Sequence, residues 1–188
     1  MSSSDMQKKR RKRSPKPLDE DRLYELAVAY AARFATSSAK LGTYLNRKLY
    51  ERGWAGETEP DVDALVARFV HHGFVDDAAY ARMKADSLLR RGYGARRIGQ
   101  ALHHAGIEET LRHETSPDEA AERTAAFALA KRRRFGPFGD AASDPKKREK
   151  QLAALVRAGH SFDSARMVVD AGSVDVLEDW VAQASPEE

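Results

Sequence analysis

The residues best suited to chemistry in this chain come as pairs and clusters. His71-His72 and His103-His104 offer imidazoles, and Asp76-Asp77 offers two carboxylates. Neighbouring residues on a helix point to different sides. Neither histidine pair therefore presents two nitrogens to one ion, and no carboxylate or third histidine stands at ligand spacing, so no metal site is expected. Asp76 directly precedes a helical pattern, and an N-capping role explains it better than acid–base catalysis. There is no Gly-Lys-Ser/Thr phosphate loop and no nucleophile elbow. Gly92-Tyr93-Gly94 opens a helix, but no strand precedes it, which argues against a nucleotide site. The chain has no cysteine, so disulfides and thiolate ligands are excluded and a reducing cytoplasm is the natural setting. No enzyme activity and no cofactor are expected.

What remains is positive charge. Lys8, Lys9, Arg10, Arg11, Lys12 and Arg13 crowd one short tract, and with Lys16 they face only Asp5 in residues 1–17. The formal net charge is +3, so the chain beyond this tail is net acidic. Like charges at this density repel, and Ser14-Pro15-Lys16-Pro17 stops a helix. The tail is expected to be disordered and to hold nucleic acid without sequence preference. It could equally be a solubilising tail.

Three further basic sets lie in the body. Lys40, Tyr44 and Arg47 share one helix face away from Leu41, Leu45 and Leu49, the look of a single-strand contact surface. Arg90 and Arg91 adjoin Arg96 and Arg97, and the last two share a polar face with Gln100, His103 and His104. Lys131, Arg132, Arg133 and Arg134 end another helix, where they also complement its dipole. A solvated face is the plain alternative for each set. Tyr93 could stack on a base or pack in the core, and the core is the stronger reading.

The elements that must position these residues read as helices throughout. Prolines fall only at breaks, and no alternating β-branched run occurs. Period and caps place helices at 19–35, 38–52, 61–72, 77–91, 95–105, 107–113, 118–134, 145–158, 163–171 and 173–184. The expected apolar stripes include Leu23, Leu26, Ala27, Tyr30 and Phe34 in the first and Ile98 and Leu102 in the fifth. Asp61 or Pro60 opens the third helix. Ser116-Pro117-Asp118-Glu119 places a proline at the first helical position of the seventh. Gly53, Gly73, Gly92, Gly106, Gly159 and Gly172 fall at predicted C-termini, where a positive φ is needed. No apolar run approaches the roughly 18–20 residues that span a bilayer.

Gly53, Gly106 and Gly159 are equally spaced. Four residues earlier stand Leu49, Leu102 and Leu155. Eight earlier stand Leu45, Ile98 and Gln151, so the third copy departs. Coincidence among helix caps is the competing explanation, but flanking helices recur as well. The expected fold is all-α: an elongated, curved array of three tandem three-helix units at 18–73, 74–117 and 118–188, after the tail at 1–17. Helices before each glycine are neutral to basic and those after it acidic, which would give the stacked units a basic and an acidic stripe.

Several stretches resemble the RecX family of bacterial regulators. They are RFATSSAKLGTYLNRKLYERG at 33–53, FVHHGFVDDAAYA at 69–81 and RGYGARRIGQALHHAGI at 91–107, with weaker matches over 151–162 and 163–169. The most specific are Gly-Phe-Val-Asp-Asp-x-x-Tyr-Ala at 73–81 and Gly-x-x-x-Ile-x-x-x-Leu-x-x-x-Gly at 94–106. Four features depart: Lys40 where an acidic residue is common, a long loop at 54–59, Phe135-Gly136-Pro137-Phe138-Gly139 interrupting the third unit, and the basic tail, which is not a general feature of the family. The resemblance implies a non-enzymatic regulator of recombination and the SOS response. It would bind the RecA–DNA filament and inhibit RecA, as a cytoplasmic monomer with weak affinity for single- or double-stranded DNA. The alternative is a helical DNA- or RNA-binding architectural protein that needs no RecA.

Overall fold

The computed structural model describes residues 16–139 and 144–184. The basic tract Lys8–Arg13 lies outside them. Among these described residues ten α-helices follow one another: α1 Glu20–Arg33, α2 Ser38–Arg52, α3 Val62–His71, α4 Asp77–Arg90, α5 Ala95–His104, α6 Glu109–Glu114, α7 Glu119–Arg133, α8 Pro145–Arg157, α9 Phe162–Asp170 and α10 Val174–Ala182. Among the described residues there is no strand, only an isolated bridge between Leu18 and Trp54. None of these helices is long and apolar enough to cross a membrane.

Side-chain oxygens set most of the helix starts. Asp19, Ser37, Asp61, Asp76, Asp118, Asp144, Ser161 and Ser173 each accept an N–H from the first turn. At α7 the cap is Asp118, so Pro117 precedes the cap instead of filling the first helical position. Gly172 also departs from expectation. It does not take a positive φ, because α9 passes through Ala171 into extended backbone. Left-handed backbone comes earlier in this part of the chain, at Arg134 (φ 55°), Gly136 (φ 52°) and Gly159 (φ 100°). A Cβ on Gly136 would overlap the Val168 carbonyl oxygen.

Apolar residues gather in three clusters along the chain. Leu18 and the inner faces of α1, α2 and α3 form the first, which also takes in Val75. Tyr80, Ala81, Ala85, Leu88, Ile98, Leu102, Ala105 and Ile107 form the second. The third is built on Leu129, Leu152, Leu155, Val168 and Leu177, so α10 is a fourth helix in this region. Phe34 is not in the core and is 49% exposed. The helix stops at Arg33, and the following residue turns out of the stripe to lie against Tyr30, with ring centroids 5.2 Å apart. Leu26 and Tyr30 are half-buried. The departure at Gln151 has a direct cause. Its buried Oε1 accepts the Gly136 N–H at 3.0 Å, so an amide replaces leucine where the chain must pin the 3-10 turn at Gly136–Phe138.

The clusters are joined by a repeated device. The start of α2 meets the end of α5: Ser37 Oγ donates to the Ala105 carbonyl at 2.5 Å, and a Cβ on Gly106 would overlap that of Ala39. Asp77 strengthens this joint by accepting from Ser38 N at 2.8 Å and Ser38 Oγ at 2.5 Å. In the same way the start of α5 meets the end of α8. Gly94 N donates to the Ala158 carbonyl at 3.0 Å, and Arg96 N to the Gly159 carbonyl at 3.2 Å. A Cβ on Gly94 would lie 2.5 Å from Gly159 C. In both joints one helix N-terminus meets the C-terminal end of another, which puts the positive end of one dipole beside the negative end of the other.

His160 closes the second joint. It is 2% exposed, and its Nε2 lies 3.0 Å from the Gly92 carbonyl oxygen. A carbonyl only accepts, so Nε2 carries the proton. Burial holds the imidazole below its ordinary value of 6.5, with the Gly92 hydrogen bond opposing the shift. The unfolded chain therefore binds the proton first as pH falls. Stability should be level above about pH 6.5 and decline below it towards the folded pKa. Urea midpoints at about pH 7.5 and pH 5.5 check this: His160→Gln should shrink the difference between them.

Candidate functional site

A groove runs along the side of α4 and α5, lined by Lys84, Leu88, Arg91, Tyr93, Arg97, Gln100, Ala101, His103 and His104. A second follows α7 and α8, lined by Tyr93, Leu129, Arg132, Arg133, Phe135, Ala154, Arg157 and Ala158. Their volumes are 580 and 320 Å³. They meet at Tyr93, which lines both.

The two grooves are built alike. Leu88 and Arg91 from α4 and its cap correspond to Leu129 and Arg132 of α7. Ala101 and His104 stand as far before Gly106 as Ala154 and Arg157 stand before Gly159. Arg132 spans the two, donating from Nη2 to the Arg91 carbonyl at 2.6 Å. No carboxylate lines either groove. None of Lys84, Arg91, Arg97, Arg132, Arg133 and Arg157 is among the ion pairs of the described residues. Six cations, none of them in an ion pair among the described residues, give these walls a positive potential that attracts anions. The same walls include apolar side chains, so the groove could also take the surface of a protein.

The candidate residues named from sequence divide accordingly. Arg91, Arg97, Arg132 and Arg133 come together in the double groove. Arg90 and Arg96 are exposed but do not line it, and neither do exposed Lys131 and Arg134. The α2 set has partners within the fold. Lys40 Nζ donates to Tyr80 Oη at 2.6 Å and lies 5.0 Å from the centre of that ring, tying α2 to α4. Tyr44 stacks on Tyr30 with centroids 4.2 Å apart. Arg47 lies 5.7 Å from the Tyr44 ring and 3.6 Å from a Glu51 carboxylate oxygen.

Two lining cations, Lys84 and Arg157, escape a reading of sequence by basic clusters because each stands apart from the runs. The repeat is the signal that could have found Arg157, since it occupies the place of His104 relative to the glycine. Asp76 does cap α4, accepting from Ala79 N at 2.8 Å, and Asp77 is engaged at Ser38. Among the described residues no group of three potential ligands could hold a metal ion.

Comparison with known proteins places this architecture. Residues 76–115 match the family model described as RecX, second three-helix domain. The crystal structure of RecX from Lactobacillus salivarius superposes with a TM-score of 0.62 at 16% identity, covering 83% of this chain and 96% of that one. A regulatory protein RecX of Vibrio parahaemolyticus is 29% identical over 119 residues, 63% of this chain and 74% of the relative. A regulatory protein RecX of Myxococcus xanthus is 34% identical over 175 residues, which span 88% of this chain and 94% of that protein. With likeness of this extent, the chain belongs to the RecX family of regulatory proteins.

Proposed function

We propose that this protein regulates homologous recombination and the SOS response in the cytoplasm by binding the RecA–DNA filament and inhibiting RecA without catalysis of its own. The observation that carries the reading is the double groove: six cations without carboxylate partners among the described residues, set across the second and third clusters. A RecA filament presents protein surface and phosphates side by side. Apolar walls with interspersed guanidinium groups suit such a mixed surface, because arginine pairs with both carboxylates and phosphates. The division into units at 18–73, 74–117 and 118–188 belongs to the same proposal. Each unit would follow the filament by one step, with the protein acting as a monomer.

A pull-down on RecA filaments beside bare single-stranded DNA tests the reading. The protein should be retained on filaments at salt concentrations that release it from the bare strand. Equal retention on both would favour an architectural nucleic-acid binder that needs no RecA.

A further inference from the structure

Tyr93 stands where the two basic grooves join, and packing accounts for only part of its position. The residue is half-buried, supported from below by the second and third clusters, and lines both cavities. The Arg91 guanidinium lies over its ring, 5.2 Å from the centroid. Arg91 is exposed, and among the described residues its side chain has no carboxylate partner to hold it there. An exposed guanidinium over a ring contributes about 1 kcal/mol or less, so a stronger ligand could displace it. Gly92 and Gly94 flank the tyrosine, and each is fixed by the neighbouring unit. A Cβ on Gly92 would lie 2.9 Å from Leu129 Cβ, and the Gly94 N–H is bonded to the Ala158 carbonyl at 3.0 Å. The ring is thus mounted on a short, rigid segment, with cations on either side of it.

We propose that Tyr93 is the specificity-determining residue of the double groove. It stacks an unpaired base of a single-stranded nucleic acid whose phosphates run along Arg97 on one side and Arg132 and Arg133 on the other. This inference rests on the groove being the functional face, and it adds which form of polyanion that face prefers. Cations alone would hold an acidic peptide, a duplex or a single strand without distinction. A preorganised aromatic between two cationic tracts favours the ligand that has exposed π-faces at intervals along a charged backbone. In a duplex those faces are stacked on each other and withheld.

The test compares binding of the full chain to an oligothymidylate and to an abasic strand with the same number of phosphates. The wild type should bind the oligothymidylate about tenfold more tightly, the worth of one stacked base. Tyr93→Leu should lose that preference while keeping its affinity for the abasic strand. Tyr93→Phe should retain it, since the ring is what acts. Arg97→Glu should weaken both ligands together. An unfolded variant would lose both ligands too, so circular dichroism is read on each protein. A wild type without preference for bases, or a Tyr93→Leu protein that keeps it, would overturn the proposal. Tighter binding of a poly-glutamate peptide than of either strand would also overturn it, in favour of an acidic protein partner. RecA inhibition measured on the same variants separates the two levels. If Tyr93→Leu still inhibits and only the base preference is missing, the stacking role is upheld apart from the inhibition. If Arg97→Glu inhibits like the wild type, it is the functional face that has been misplaced.

Discussion

Gly159→Ala is expected to cost about 3 kcal/mol or more of folding stability, far more than the same change at Gly53. Gly53 ends α2 and Gly159 follows the end of α8, and both take a positive φ, 77° at Gly53 and 100° at Gly159. A side chain in that region costs on the order of 1–3 kcal/mol by backbone strain. At Gly53 the cost ends there, because nothing lies within 4 Å of the added Cβ. At Gly159 the Cβ would sit 2.5 Å from Arg97 N and 2.9 Å from the Gly94 carbonyl oxygen, both backbone atoms of the next helix in the stack. Backbone cannot step aside without breaking the Gly94–Ala158 hydrogen bond, and overpacking adds about 1–3 kcal/mol. Gly106→Ala belongs with Gly159→Ala, since its Cβ would overlap Ala39. Urea unfolding of the three variants reads the difference directly. Equal losses at Gly53 and Gly159 would mean that the joint is loose.

That contrast shows what the equal spacing of glycines does and does not reveal. The spacing is visible in sequence because all three positions need a left-handed helix end. The close approach at two of them depends on which helix arrives from the neighbouring unit, and no local pattern records this. The helices were legible almost residue by residue, because Asp and Ser caps, glycine ends and apolar stripes all agree. Phe34 misled because it continues the stripe of α1 in register after the helix has stopped. Gln151 looked like a flaw in the repeat until Gly136, fifteen residues before it, supplied its partner. The site was legible in part. Runs of arginine pointed to Arg91, Arg97, Arg132 and Arg133, but they pointed equally to Arg90, Arg96, Lys131 and Arg134, which do not line the groove. Lys40 and Tyr44 have the composition of a binding surface and are engaged with Tyr80 and Tyr30. Those partners lie on other helices, so only the folded chain could show them.

The second large effect concerns charge. Arg97→Glu combined with Arg133→Glu should raise the concentration needed to inhibit RecA at least about 100-fold, because each reversal removes a charge-assisted contact worth about 1.5 kcal/mol or more and adds repulsion. The two residues line different halves of the double groove, and neither has an ion-pair partner among the described residues. The fold should tolerate both changes. Arg90→Glu combined with Arg96→Glu changes the charge equally but outside the groove lining, and inhibition should shift about threefold or less, through long-range screening alone. Deleting residues 1–17 removes seven basic residues, Lys8 to Arg13 and Lys16. It should flatten the salt dependence of binding to bare DNA while inhibition near physiological salt largely persists.

The most direct test of the account is RecA's DNA-dependent ATPase, titrated near physiological salt with the wild type and with the Arg97→Glu/Arg133→Glu protein. The wild type should suppress the ATPase at or below parity with RecA while hydrolysing no ATP itself, and the double variant should leave it close to the uninhibited rate. Undiminished ATPase at an excess of wild type would contradict the proposed role, and full inhibition by a folded double variant would show that the double groove is not the surface that acts.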